Sequence, residues 1–208
     1  MRKIIFLSGG LLLLIGLLAG LAGCGDKAPI SVDDLEAGSV IDSPLVITGE
    51  AVGGWFFEGV FPVQLLDEYN GTIASGQAKA KGEWMTEDYV EFEAELSFLT
   101  QTLDGKLILR KDNPSGLPEN DAQLEIPVKF ATKSAETVKK YIEEHIAEIS
   151  PIEPVLGGQW HVLSVNFAEN SEVFVEYEDG HILANLTAEC SIENGEVKVE
   201  VTMSNDGS

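Results

Sequence analysis

YVEFEAELSF, Tyr89–Phe98, alternates without error. Val90, Phe92, Ala94, Leu96 and Phe98 fall on one side; Glu91, Glu93 and Glu95 fall on the other. A period of two belongs to a strand with one buried and one wet face, because successive side chains point to opposite sides of a sheet. The surrounding chain, from residue 37 to residue 132, reads in the same way. SPLVITG and VFPVQLL are apolar strand candidates, the second with Phe61, Val63 and Leu65 on one face. In AQLEIPVKF, Leu124, Ile126, Val128 and Phe130 share a face, and Pro127, which cannot donate to a ladder, predicts an edge or a bulge. Asn70-Gly71 and Asp104-Gly105 read as tight turns between strands. Short strands at this spacing predict a β-sandwich.

From residue 133 to residue 208 the period changes. Ser134 reads as the cap of a helix with a stripe of Val138, Tyr141, Ile142, His145 and Ile149, stopped at Ser150-Pro151. Four strands follow. Their core rows are predicted as Leu163, Val165 and Phe167; Val173, Val175 and Tyr177; Ile182 to Ile192 at every second residue; and Val197, Val199, Val201 and Met203. Asp179-Gly180 and Asn194-Gly195 are hairpin turns. The fold class is therefore mainly β: a sandwich, then a small α+β domain of one helix on a four-stranded antiparallel meander.

Arg2 and Lys3 precede an uncharged run from Ile4 to Gly23, which ends on Leu21-Ala22-Gly23-Cys24. The length suffices for a membrane span. Five glycines and the lack of a basic stop-transfer cluster favour an export signal instead. The last four residues resemble the bacterial lipobox. That resemblance implies a lipoprotein signal peptide over 1–23, removal of that peptide, and acylation of Cys24, for example with palmitate. An uncleaved anchor and an ordinary cleaved signal are the alternatives. Residues 24–36 read as a spacer from the membrane. The localisation expected is the extracytoplasmic side of a bacterial cell membrane.

Thirteen cations face 35 acids, a net charge of −22; removal of residues 1–23 takes Arg2 and Lys3 with it and leaves −24. Nucleic acid is excluded as a partner, since phosphate binding needs a basic footprint. An anionic leaflet repels such a body, so membrane attachment rests on the lipid. Cys24 and Cys190 are the only cysteines, which excludes a disulfide framework; Cys190 falls in an apolar row and reads as a core residue.

Residues 39–130 resemble the immunoglobulin-like domain of bacterial spore germination proteins. The resemblance lies in Ser43-Pro44-Leu45, Gly49-Glu50-Ala51, Phe57-Glu58, Asp67 with Asn70-Gly71, and the closing LEIPVKF. It implies an immunoglobulin-like sandwich in an exported, often lipid-anchored chain, with a noncatalytic binding or scaffolding role. The companion domain usual in that family is not evident; residues 133–208 are cystatin-like in outline, which carries no function.

No catalytic motif appears. His145, His161 and His181 form neither HExxH nor a zinc spacing; His161 and His181 begin strands of one sheet and are candidate neighbours. Asp112, Asn113, Glu119 and Asp121 on the loop KDNPSGLPENDAQ are weak calcium candidates, without EF-hand spacing. No metal and no cofactor are assigned. Trp55, Phe56 and Phe57 are consecutive, so at least one of them is expected to point outward or into a domain contact. Trp160, Val162, Phe174 and Leu183 fall opposite the predicted core rows, on a face expected either to meet the first domain or to bind a partner. Trp55, Phe56, Phe57, Trp160 and Phe174 are thus the candidate interaction surface. The function expected is a lipid-anchored, extracytoplasmic binding or scaffolding protein of the cell envelope, not an enzyme, whose partner is an envelope protein or wall polymer. The alternative is an inhibitor or small-ligand carrier that uses the second domain.

Overall fold

The computed structural model describes residues 27–206; the segment expected to be a signal peptide, the lipobox-like residues and Cys24 lie outside them. The first sheet contains β1 (Ile30–Val32), β2 (Ser39–Ile41), β3 (Leu45–Val52), β4 (Val60–Asp67), β5 (Thr72–Ala80), β6 (Tyr89–Leu96), β7 (Asp104–Arg110) and β8 (Gln123–Phe130). Their lateral order is β1-β3-β6-β5-β4-β7-β8-β2. β5 pairs with β4 along its length but meets β6 only at Lys79↔Glu93 and Ala80↔Phe92. The strands therefore fold into two layers joined at one corner of β5, with Ile47, Phe61, Val63, Leu65, Phe92, Leu107 and Leu109 fully buried between them. This is the immunoglobulin-like sandwich.

Val90, Phe92, Ala94 and Leu96 all point inward from β6, as their alternation predicts. Pro127 sits where β8 is nearly an edge: only the three residues of β2 lie beyond it, in parallel. Three expectations are corrected. The predicted spacer contributes β1, because Ile30 is apolar and buried against the core while Ser31 and Val32 pair with Glu50 and Gly49. Asn70-Gly71 is the end of a wider loop: Asp67 Oδ1 accepts the N–H groups of Tyr69 and Gly71 at 2.9 and 2.7 Å. Asp104-Gly105 is not a turn but the start of β7, and Gly105 is there because the Phe130 ring lies over it; a Cβ would come within 2.6 Å of Phe130 Cζ.

Beyond β8 comes α1 (Ser134–Ile149), then an antiparallel meander of β9 (His161–Phe167), β10 (Glu172–Glu178), β11 (Leu183–Glu193) and β12 (Glu196–Asp206), ordered β12-β11-β10-β9. Ala135, Val138, Ile142 and Ile146 form the buried helix stripe against Val173, Val175, Tyr177, Leu186 and Cys190. Tyr141 and His145, placed on the stripe by periodicity, sit at its border and stack on each other at 4.2 Å. Two bulges displace predicted rows. One, between Glu176 and Tyr177, skips Leu163, so Val162 packs on the core and Leu163 is 54% exposed. The other, between Thr187 and Ala188, skips Thr202 and turns Met203 out to solvent. Ser134 is the first helical residue rather than the cap, and its hydroxyl is used elsewhere.

That hydroxyl joins the two halves. Ser134 Oγ accepts the Thr100 N–H at 3.0 Å, and the Thr100 carbonyl accepts the Ala135 N–H at 3.1 Å. Leu99 inserts into the second core. A second junction closes the open half of the β5–β6 seam: Asn170 Oδ1 accepts the Ser75 N–H at 2.9 Å, and Glu169 Oε2 accepts the Ser75 hydroxyl at 2.8 Å. The two halves meet through these loops, not through the outer face of the second sheet, which corrects one of the two roles expected for that face.

Candidate functional site

Four segments converge at one end of the sandwich. β3 runs into a 3-10 turn, Gly53–Trp55, whose Gly53 N–H donates to the Asp88 carbonyl at 3.1 Å. Gly53 itself is required, since a Cβ there would meet the backbone of Trp84 and Thr86. The loop after β7 is held alongside by Asp112 N–H on the Trp55 carbonyl at 3.0 Å. The incoming chain arrives here too: the Pro29 carbonyl accepts the Val52 N–H at 2.9 Å, and Tyr89 Oη donates to the Lys27 and Ala28 carbonyls. Lys27 pairs with Glu50 and lies over the Tyr89 ring at 4.0 Å.

The aromatic triplet divides at this end. Trp55 and Phe56 are buried, packed on Phe61 at ring distances of 5.8 and 5.2 Å. They are core residues, which corrects their place in the candidate surface. Phe57 is 42% exposed. Its N–H and carbonyl bond Val60 across Glu58-Gly59, both at positive φ, as a tight two-residue hairpin requires. The strand has to reverse within two residues, so the third aromatic cannot follow the first two inward. Met85 and Leu117 are exposed on the neighbouring loops, and Trp84 lies 3.4 Å from where a Gly59 Cβ would be. Trp84 was not singled out from sequence; its place in a polar stretch, LysGlyGluTrpMetThr, hides it from any periodicity argument.

In the second sheet Trp160 is also core. It is 7% exposed and meets Tyr177 edge to face at 4.9 Å. Its indole N–H has no hydrogen-bond partner in the described structure. Val162 follows it into the core through the Leu163 bulge. Phe174, 41% exposed, is left on the outer face beside Thr187 and Met203, while Leu183 is separated from it by the Glu176–Asn185 pair. The outer face is thus broken rather than continuous apolar surface.

Several titratable groups are engaged in structure. Asp179 accepts the N–H groups of Val155, His181 and Ile182 at 2.6, 2.8 and 2.9 Å. Desolvation pushes its carboxyl up, but those three donors and the nearby His181 outweigh it and hold the group below the usual value. His181 Nδ1 lies 4.0 Å from that carboxylate, and His161 pairs across the ladder with Glu178. Burial pushes the Cys190 thiol up to about 11, so it stays protonated in the core. In the predicted calcium loop, the Asn113 amide nitrogen donates to Asp121 Oδ1 at 2.6 Å and to the Leu117 carbonyl at 2.8 Å. The loop closes on itself, and among the described residues no three acidic, His or Cys side chains gather as metal ligands.

The two-layer sandwich agrees with the comparison to known families. Residues 29–116 match the immunoglobulin-like domain of bacterial spore germination. The match begins at β1 and stops in the loop after β7; β8, which completes the sheet, and the whole second half lie beyond it. No curated protein matches the sequence. Among solved structures, a DUF4784 family protein from Bacteroides caccae aligns at 11% identity with a TM-score of 0.29, over 83% of this chain and 43% of its own length. A score that low supports no inference about this germination-type domain or its neighbour.

Proposed function

We propose that the protein is a lipid-anchored, noncatalytic binding or scaffolding component of the bacterial envelope, tethered through Cys24. One observation carries this reading. Lys27, three residues after Cys24, sits at the loop end of the germination-type domain, whereas Thr100 and Ser134 join the second half at the opposite end. A strand the length of β3 spans about 26 Å. The sandwich would then stand as a post on the membrane, holding the helix-and-sheet domain outward, with Phe57, Met85 and Leu117 near the bilayer side. Buried polar groups such as Asp179 serve the fold.

Two measurements test it. Intact mass of the membrane-extracted protein should show residues 1–23 removed and a diacylglyceryl-modified Cys24, and Cys24→Ser should release the mature body from the membrane. A product that keeps its leader, or a serine variant as firmly embedded as wild type, would sink the tether. Photo-crosslinking groups placed at Phe57 and at Phe174 should capture an envelope protein or wall polymer in intact cells. Adducts no more abundant than those from the exposed Tyr69 would count against a binding role.

A further inference from the structure

Among the described residues, β12 is the edge of the second sheet and pairs only with β11. Its two-residue turn, Asn194-Gly195 with both φ positive, makes Glu193↔Glu196 the hydrogen-bonded pair that closes the hairpin. Bonding then alternates along the strand. Glu196, Lys198 and Glu200 direct their backbone groups toward β11, while Val197, Val199 and Val201 direct theirs to the free edge. The same three valines face the helix side, half-buried against the second core. α1 does not close over Val197: Thr137, Lys140, Tyr141 and Glu144 stand back and leave a groove along residues 195–198.

Natural edges are usually blunted by inward charges, lysines, bulges, proline or shortness, and here Lys198 and the bulge at Thr202 are the devices present. This one is long, turns its charges to the outer face and offers three consecutive valine positions. We propose that β12 pairs antiparallel with β12 of a second copy of this chain, about a two-fold axis at Val199. Charge and backbone parity select that register. With Val199 opposite itself, Val197 faces the partner copy's Val201, each valine pair carries backbone groups aimed at the other strand, and Lys198 faces Glu200 twice by symmetry as the intervening non-hydrogen-bonded pair. Centring on Lys198 would set Glu196 against Glu200, and centring on Glu200 would set that glutamate against itself; like charges directly opposite are destabilising. Centring on Val197 keeps a Lys–Glu pair but spends the remaining positions on the turn. Beyond Val201 the Thr202 bulge bends the strand away, which limits the contact to the residues that match. The groove beside α1 would receive the partner's valines. This inference does not depend on the lipid tether.

The experiment is sedimentation of the full chain in a mild detergent over a range of concentrations, with charge reversals. Wild type should associate reversibly to a dimer. Lys198→Glu and Glu200→Lys should each weaken the dimer by about tenfold, since both symmetric pairs become repulsive, and the double reversal should restore it. Both side chains are solvent-exposed, so folding is spared. Independently, in a Cys190→Ala background, needed because Cys190 lies directly across the ladder from Val199, Val199→Cys should give an intermolecular disulfide on mild oxidation, mapped by peptide mass. Val197→Cys and Val201→Cys should crosslink only when mixed. A wild-type chain that stays monomeric at all concentrations overturns the proposal, including the case where the edge takes an extended peptide from another protein. A double reversal no better than the singles overturns it as well.

Discussion

Thr100 and Ser134 hold the two halves of the molecule together by a reciprocal pair of hydrogen bonds: the N–H of the first enters the hydroxyl of the second at 3.0 Å, and the carbonyl of the first takes the N–H of Ala135 at 3.1 Å. Both residues are buried. Removing the hydroxyl leaves a buried N–H without a partner, which costs about 1–3 kcal/mol. Ser134→Ala should therefore lower the free energy of unfolding by that amount, measured by urea denaturation, while Ser134→Thr should lose less. An alanine variant as stable as wild type would mean that this junction is not formed in solution.

Trp160 distinguishes a core role from a contact role. Truncation to alanine removes a buried indole and its edge-to-face contact with Tyr177, a loss of about 3–5 kcal/mol. Trp160→Phe keeps an aromatic ring and deletes an N–H that has no partner among the described residues. The expected order of melting temperatures puts the phenylalanine variant close to wild type and the alanine variant far below. Equal and small effects would return Trp160 to the surface.

Gly105 is occupied by its neighbours. Phe130 and the Leu66 carbonyl fill the space a Cβ would need. Overpacking of this kind costs about 1–3 kcal/mol, so Gly105→Ala should destabilise although its backbone conformation suits any residue. Pairing it with Phe130→Leu, which opens the site, should recover part of the loss in a double-mutant cycle. Additive effects would show that the ring does not lie over this strand.

Asp179 makes stability depend on pH. Its folded carboxyl sits below the ordinary value of 3.8, so its contribution is present above that value and lost as pH falls through the folded one. Asp179→Asn should melt well below wild type at neutral pH, and the gap should narrow in acid below about pH 3.8. A gap that stays constant across that range would mean that the carboxylate is not the species bonded by Val155, His181 and Ile182.

Much of this was legible in the residues. Alternation over Tyr89–Phe98 named the inward face of β6 correctly, and Pro127 marked a near-edge strand, because both follow from local backbone geometry. The Asn194-Gly195 turn was equally readable, since positive φ at two successive positions selects those residue types. The candidate surface was less legible. Trp160 and Leu163 exchanged faces through a single-residue bulge, and a period of two carries no warning of the residue at which it will slip.

What the linear chain decided by itself, then, is the class of architecture: strands first, one helix, four more strands, an acidic body and an apolar N-terminal run. Those features depend on periodicity, turn chemistry and charge, which are local or summed quantities. Tertiary structure alone decided which of Trp55, Phe56 and Phe57 meets solvent, that Ser134 serves Thr100 instead of its own helix, and that β12 is left as an open edge. Each of these is settled by what lies across the fold from a residue, and contacts between positions distant in the chain leave no periodic trace along it.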